Sequence, residues 1–342
     1  MGDKSVREFL AEQNNKQRNA AKIDSEDILF FNGLGDGIST LYQFINPTAR
    51  IIGPSPAYST HSSGEAAHAN AAPITYTLNP ANHWYPDMED LRNQVRYNPN
   101  IVGILLINPD NPTGMVYPLE TLREFVNLAK EFDLFLVSDE IYGAITYNGA
   151  MHHPLAEVIE DVPGIALKGM SKDLPWPGSR CGWMEFYNRN SDQTFERLYQ
   201  TLVNAKMLEV CSTTLPQMAI PKVYGDARFE QYRKATNVKI GERSKLISSF
   251  LEDVPYLYFN STQGAFYNTI IFKPGTLTHQ QSLKIENTGA EALLNGWLQE
   301  SNMKADKRFV YYLLAAKGVC VVPISSFCSD LLGFRVTLLE ED

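Results

Sequence analysis

Residues 101–142 read IVGILLINPDNPTGMVYPLETLREFVNLAKEFDLFLVSDEIY, and this stretch decides the fold class. It opens on Ile101 to Ile107, where Ile104, Leu105, Leu106 and Ile107 are apolar on both faces, as expected of a strand covered by helices on either side. A loop with two prolines follows. Leu122, Phe125, Val126 and Ala129 then recur at helical spacing across 119–132, with Pro118 near the start. A second apolar run, Leu134 to Val137, ends on Ser138-Asp139-Glu140. Strand, helix and strand in succession are the alternation of an α/β sheet whose strands run mostly parallel.

The same alternation extends outward from this unit. Short apolar runs at Ile28 to Phe31, Arg50 to Ile52, Ile74 to Leu78, Ile165 to Leu167 and Cys181 to Phe186 each end in a loop of small or polar residues. They predict a large domain over 1–237, a mostly parallel sheet flanked by helices. From Phe229 the pattern changes to a long charged helix, then strands near Leu257 to Asn260 and Phe266 to Phe272, a helix, and a last strand across Phe334 to Leu339. That predicts a smaller α+β domain over 238–342. A chain of 342 residues is long enough for both, since single cores stop growing at about 250–300 residues.

Composition narrows the function classes. With 39 acidic and 30 basic residues the net charge is -9, and no basic cluster stands out, so nucleic acid and anionic lipid are not expected partners. No apolar run approaches the roughly 18 residues of a membrane span, and the opening MGDKSVREFLAEQNNKQR has no apolar signal core. Cytoplasmic residence is the expectation. Cys181, Cys211, Cys320 and Cys328 form neither a C-x-x-C pair nor a disulfide framework, and read as reduced, buried small hydrophobes. No metal site is expected.

In an open α/β sheet, ligands bind outside the carboxyl ends of the strands. After Phe31 comes Gly33-Leu34-Gly35-Asp36-Gly37 feeding a helical pattern, where backbone N–H groups and the helix dipole could meet a phosphate; a tight turn without a ligand is an equally good reading. A dinucleotide fingerprint fails because its last glycine would be residue 38, which is Ile38. After Ile107 the loop Asn108-Pro109-Asp110-Asn111-Pro112-Thr113-Gly114 could hold an asparagine side chain at the strand end, or simply punctuate the chain. Asp139 follows an apolar strand, where a carboxylate is costly unless paired or solvated. Lys172, in Gly169-Met170-Ser171-Lys172, would pass alone for a surface lysine. Arg180 lies eight positions on, and Arg335 stands inside an apolar strand pattern, where an arginine usually has an anionic partner.

Taken in order, the glycine loop, N-P-T-G, D-x-x-Y, S-K, an arginine at lysine plus eight and a late strand arginine resemble the class I/II aminotransferases of the fold-type-I pyridoxal-phosphate enzymes. Gly264-Ala265-Phe266-Tyr267 is similar to that family's G-x-F-Y strand, and the resemblance covers nearly the whole chain. It implies that Lys172 forms the Schiff base with pyridoxal phosphate and then moves the proton between Cα and the cofactor. Asp139 would pair with the pyridine nitrogen, Asn111 and Tyr142 would bond the ring oxygen, and Tyr58 would stack on the ring. Leu34, Gly35, Ser171 and Arg180 would hold the phosphate, and Arg335, beside Asn111, the α-carboxylate of an amino-acid or 2-oxo-acid substrate. A homodimer is implied as well. Two positions depart from the pattern: Gly169 stands where many relatives carry a hydroxyl, so one phosphate contact is expected to be missing, and Asp173-Leu174-Pro175-Trp176-Pro177 is bulkier than usual beside the lysine. Relatives also carry several dozen residues upstream that close over the substrate, and Val6 to Gln13 is similar to the helix that follows them, so weakened cofactor retention is expected of this chain unless the Pro175-Trp176-Pro177 loop closes the site instead. Carbon–sulfur elimination on the same residues, or a cofactor-binding sensor without turnover, are the alternative functions.

Overall fold

The computed structural model describes residues 1–210 and 212–340. Eight strands form the larger sheet: β1 (Ile28–Phe31), β2 (Arg50–Ser55), β3 (Thr75–Asn79), β4 (Tyr85–Pro86), β5 (Ile101–Ile107), β6 (Phe135–Asp139), β7 (Gly164–Gly169) and β8 (Gly182–Tyr187). Their order is β1-β8-β7-β6-β5-β2-β3-β4. The run β3-β2-β5-β6-β7 is parallel throughout, while β8 is antiparallel to both its neighbours and β4 to β3.

Both faces are covered, which is why these strands read as continuous apolar runs. Ile104 and Leu106 of β5, Leu136 of β6 and Ala166 of β7 join one core, and Leu105, Val137, Ile165 and Leu167 join the other, so side chains alternate between two layers. Each such Ile or Leu, fully removed from water, contributes on the order of 1.5–3 kcal/mol. The helix Leu119–Phe132 buries Leu122, Phe125, Val126, Leu128 and Ala129, the stripe its spacing predicts, and ends where Asp133 takes a left-handed conformation. β6 runs two residues beyond the apolar stretch of its sequence, because Ser138 and Asp139 pair with Leu106 and Ile107 of β5.

A second sheet holds β9 (Leu257–Tyr258), β10 (Tyr267–Phe272), β11 (Val322–Pro323) and β12 (Gly333–Thr337), in the antiparallel order β11-β12-β10-β9. The helix Ala227–Leu251 leads into it. The proposed division at 237 and 238 falls within this helix.

The cysteines need one correction. Cys181 is buried and Cys328 partly so, but Cys320 is exposed, in the exposed stretch 317–320 that links the helix Ala305–Lys317 to β11. Cys211 lies outside the described residues. Among the described residues no helix is long and apolar enough to cross a membrane, and no group of three or more ligating side chains could hold a metal.

Candidate active site

The strand ends that matter lie at one edge of the large sheet. Phe31 pairs with Gly182, and Gly182 with Gly169, so the loop after β1, the turn after β7 and the residues leading into β8 are brought side by side. Gly33 adopts φ 90°, a conformation that glycine takes without a Cβ penalty, and caps the helix Leu34–Phe44. A Cβ there would lie 2.6 Å from Arg180 Nη2, so the guanidinium is seated directly on the glycine loop. Leu34 and Gly35 stand in the first helical turn, where no intrahelical carbonyl is available to their N–H groups. Asp36 turns back to accept the N–H of Asn32 at 3.0 Å and meets Lys206 at 3.3 Å, which keeps its charge engaged within the loop. Ser171 sits, half-buried, in the short helix Met170–Asp173 directly after β7. A Cβ on Gly169 would lie 3.0 Å from the Cys181 carbonyl, a physical reason for the small residue at that position.

Lys172 follows on the same turn. Its Nζ lies 5.6 Å from the Phe266 ring centre and 5.8 Å from that of Tyr142, with no hydrogen-bond acceptor among the described residues. Burial, and then the positive charge of Arg335, lower its proton affinity, while Asp139 opposes the shift. Asp139, at the end of β6, is buried; its Oδ2 lies 2.9 Å from His61 Nε2 and its Oδ1 accepts the Ile141 N–H at 3.1 Å. The buried Tyr142 hydroxyl meets that of Tyr267, on β10, at 3.1 Å.

Arg335, on β12, donates from Nη1 to Asn111 Oδ1 at 2.8 Å and lies 4.1 Å from the Tyr267 ring centre and 4.7 Å from that of Phe327. Among the described residues it has no carboxylate partner and its buried Nε has no acceptor, and desolvation lowers its pKa. Tyr58 is 38% exposed and sits edge-on to His61, its ring centre 6.2 Å away. Trp176, in the bulky loop after the lysine, is exposed. Sequence reasoning missed His61. The available signal was its place three residues after Tyr58 on the helix Ser59–Ala69, which puts both on one face.

A mostly parallel sheet whose strand ends bring a lysine amine near a held carboxylate, with a guanidinium reaching in from the second sheet, is the architecture of a fold-type-I enzyme. The chain belongs to the class I and II aminotransferases, whose family model matches residues 1–341. It is 51% identical over 337 residues to an uncharacterized aminotransferase of Methanocaldococcus jannaschii, a match covering 98% of this chain and 77% of that protein. It is 29% identical over 263 residues to the glutamate-pyruvate aminotransferase AlaA of Escherichia coli, where the match spans 75% of this chain and 62% of that enzyme. The alanine aminotransferase from Pyrococcus furiosus superposes with a TM-score of 0.82 at 26% identity, covering 99% of this chain and 78% of that one. The family is one of pyridoxal-phosphate-dependent enzymes acting on amino acids and 2-oxo acids.

Proposed function

We propose that the chain moves an amino group between an α-amino acid and a 2-oxo acid with pyridoxal phosphate held on Lys172. The observation that carries this reading is the convergence of the Lys172 amine, the Asp139–His61 pair and Arg335 where the second sheet meets the strand ends of the first. The residues present fit the cofactor: the first-turn N–H groups of Leu34 and Gly35, the Ser171 hydroxyl and Arg180 would hold its phosphate, and Asp139 its ring nitrogen. Asn111 and Tyr142 would bond its ring oxygen, and Tyr58 would lie on its face. When bound, the group supplies an electron sink for the charge left as the α-proton departs.

The chain's own residues do the rest. A lowered proton affinity leaves the Lys172 amine free for attachment nearer neutral pH, and the same amine then carries the proton from the substrate Cα. Held by His61 and the Ile141 N–H, the Asp139 carboxylate is preorganised to keep the ring nitrogen protonated. Arg335 offers the α-carboxylate a two-pronged fork, with its plane steadied by Tyr267 and Phe327. A homodimer in the cytoplasm completes the reading. Its support is the exposed apolar set Met207, Leu208, Val210 and Leu215, close to Asn32 of the glycine loop, where Thr213 donates to the Asn32 side chain.

The assay uses the protein loaded with pyridoxal phosphate, L-alanine as donor and 2-oxoglutarate as acceptor, a pair suggested by the named relatives. Pyruvate and glutamate in equal amounts are expected. With L-cystathionine, whose β-carbon carries a thiolate leaving group, release of ammonia and pyruvate without glutamate would replace transamination by elimination. His61→Ala is expected to lower kcat by roughly 10- to 100-fold, the worth of a hydrogen bond to a charged group, with little change in KM. His61→Asn should recover part of the loss, and an equal fall in binding and turnover in both variants would reduce His61 to a packing residue.

A further inference from the structure

Tyr267, at the start of β10, stands opposite Thr337 in the ladder with β12, and Thr269 stands opposite Arg335. Tyr267 and Arg335 are therefore diagonal neighbours on one face of the second sheet, a spacing that an aromatic and a long side chain can bridge. The guanidinium lies 4.1 Å from the Tyr267 ring centre, and the Tyr267 hydroxyl lies 3.1 Å from that of Tyr142. On the reading that Lys172 holds pyridoxal phosphate with Tyr142 at its ring oxygen, we propose that Tyr267 is a positioning residue with two working ends. Its hydroxyl donates to Tyr142 and leaves the Tyr142 proton for the ring oxygen, while its face steadies the Arg335 fork.

Tyr267 is held firmly enough for this. Both phenols are buried, and among the described residues each hydroxyl has the other as its hydrogen-bond partner. β10 is pressed onto the loop that carries Asn111: Gly114, at φ 73°, approaches the Tyr267 carbonyl so closely that a Cβ would collide with it. Two residues on, the Thr269 hydroxyl donates to the Pro112 carbonyl at 2.8 Å.

A phenol has one proton to give and lone pairs that accept, so two hydroxyls in contact can be bonded in either direction. If Tyr142 gave its proton to Tyr267, its oxygen would meet the ring oxygen as acceptor against acceptor. If Tyr267 gives, Tyr142 accepts one bond and donates the next, and the two bonds polarise each other. A ring oxygen bearing negative charge favours the second arrangement, since bonds to charged acceptors are roughly twice as strong as neutral ones. Burial pushes the Tyr142 phenol well above its ordinary pKa, so it keeps a proton to donate. Asn111 is set by the same logic, because its Oδ1 is taken by Arg335 and its Nδ2 hydrogens remain to donate.

The test is a pH titration of the visible absorption in the cofactor-loaded protein. Donors on the ring oxygen offset its charge and loosen the hold of the attached Lys172 nitrogen on its own proton. Tyr267→Phe, which keeps the ring and removes the hydroxyl, is expected to raise the midpoint by about half a unit to one unit, the worth of one hydrogen bond. Tyr142→Phe should raise it further, and adding Tyr267→Phe to it should change nothing more, because Tyr267 acts through Tyr142. KM for the amino donor should hold in Tyr267→Phe and rise roughly tenfold in Tyr267→Leu, which loses the face beneath Arg335. Melting curves show that each variant is folded. An unshifted midpoint in Tyr267→Phe overturns the inference, as does a shift that adds in full to that of Tyr142→Phe. A KM unmoved in Tyr267→Leu overturns its Arg335 half. If the unaltered protein shows no visible band on loading, attachment at Lys172 has failed, and the inference falls with that reading.

Discussion

Lys172→Ala is expected to cost roughly 10²–10⁴-fold in turnover from the loss of proton transfer alone, with the loss of covalent attachment added to it. The visible absorption of the bound cofactor should vanish in the same variant. Stability should change little, because among the described residues the Lys172 amine has no hydrogen bond to lose and its near neighbours include the rings of Tyr142 and Phe266. The two readouts therefore separate chemistry from folding. Absorbance titration with pyridoxal phosphate, alongside thermal unfolding, makes the comparison. A variant that kept its activity would sink the assignment of the lysine.

Arg335→Ala is expected to act differently. The guanidinium is half-buried, flanked by two aromatic rings and hydrogen-bonded to Asn111, so a substrate carboxylate arriving there gains a charge-assisted fork in a site largely screened from water. Losing it should cost on the order of 2–5 kcal/mol of transition-state binding, or roughly 30- to several-thousand-fold in kcat/KM. Cofactor retention should be nearly unaffected, since the proposed phosphate contacts are made by other residues, Leu34, Gly35, Ser171 and Arg180. Normal efficiency with amino donors in this variant would reject the role of Arg335, and a loss of cofactor would move it to a different one.

Much of the fold was legible because it depends on local pattern. Ile28 to Phe31 and Ile101 to Ile107 are strands with the bounds their apolar runs predict, and the helix over 119–132 follows its spacing, since burial on both faces imposes a visible composition. Boundaries drifted where polar residues are paired, as at Ser138 and Asp139, whose partners are on β5. The long helix begins at Ala227, two residues before its charged run. Exposure of Cys320 was not legible, because a lone cysteine carries no period from which burial could be read.

The candidate site divides in the same way. By itself the sequence determined an α/β sheet with its reactive residue types at strand ends, because each motif is a short local segment and the strand-end rule needs no knowledge of neighbours. Only the tertiary structure decided which of those residues meet. His61 reaches Asp139 across 78 residues, Arg335 reaches Asn111 across 224, and Arg180 settles on Gly33. Those encounters follow from the strand order and from the second sheet docking its Arg335-bearing strand over the first, and a hydrogen bond between distant segments leaves no periodicity in either one.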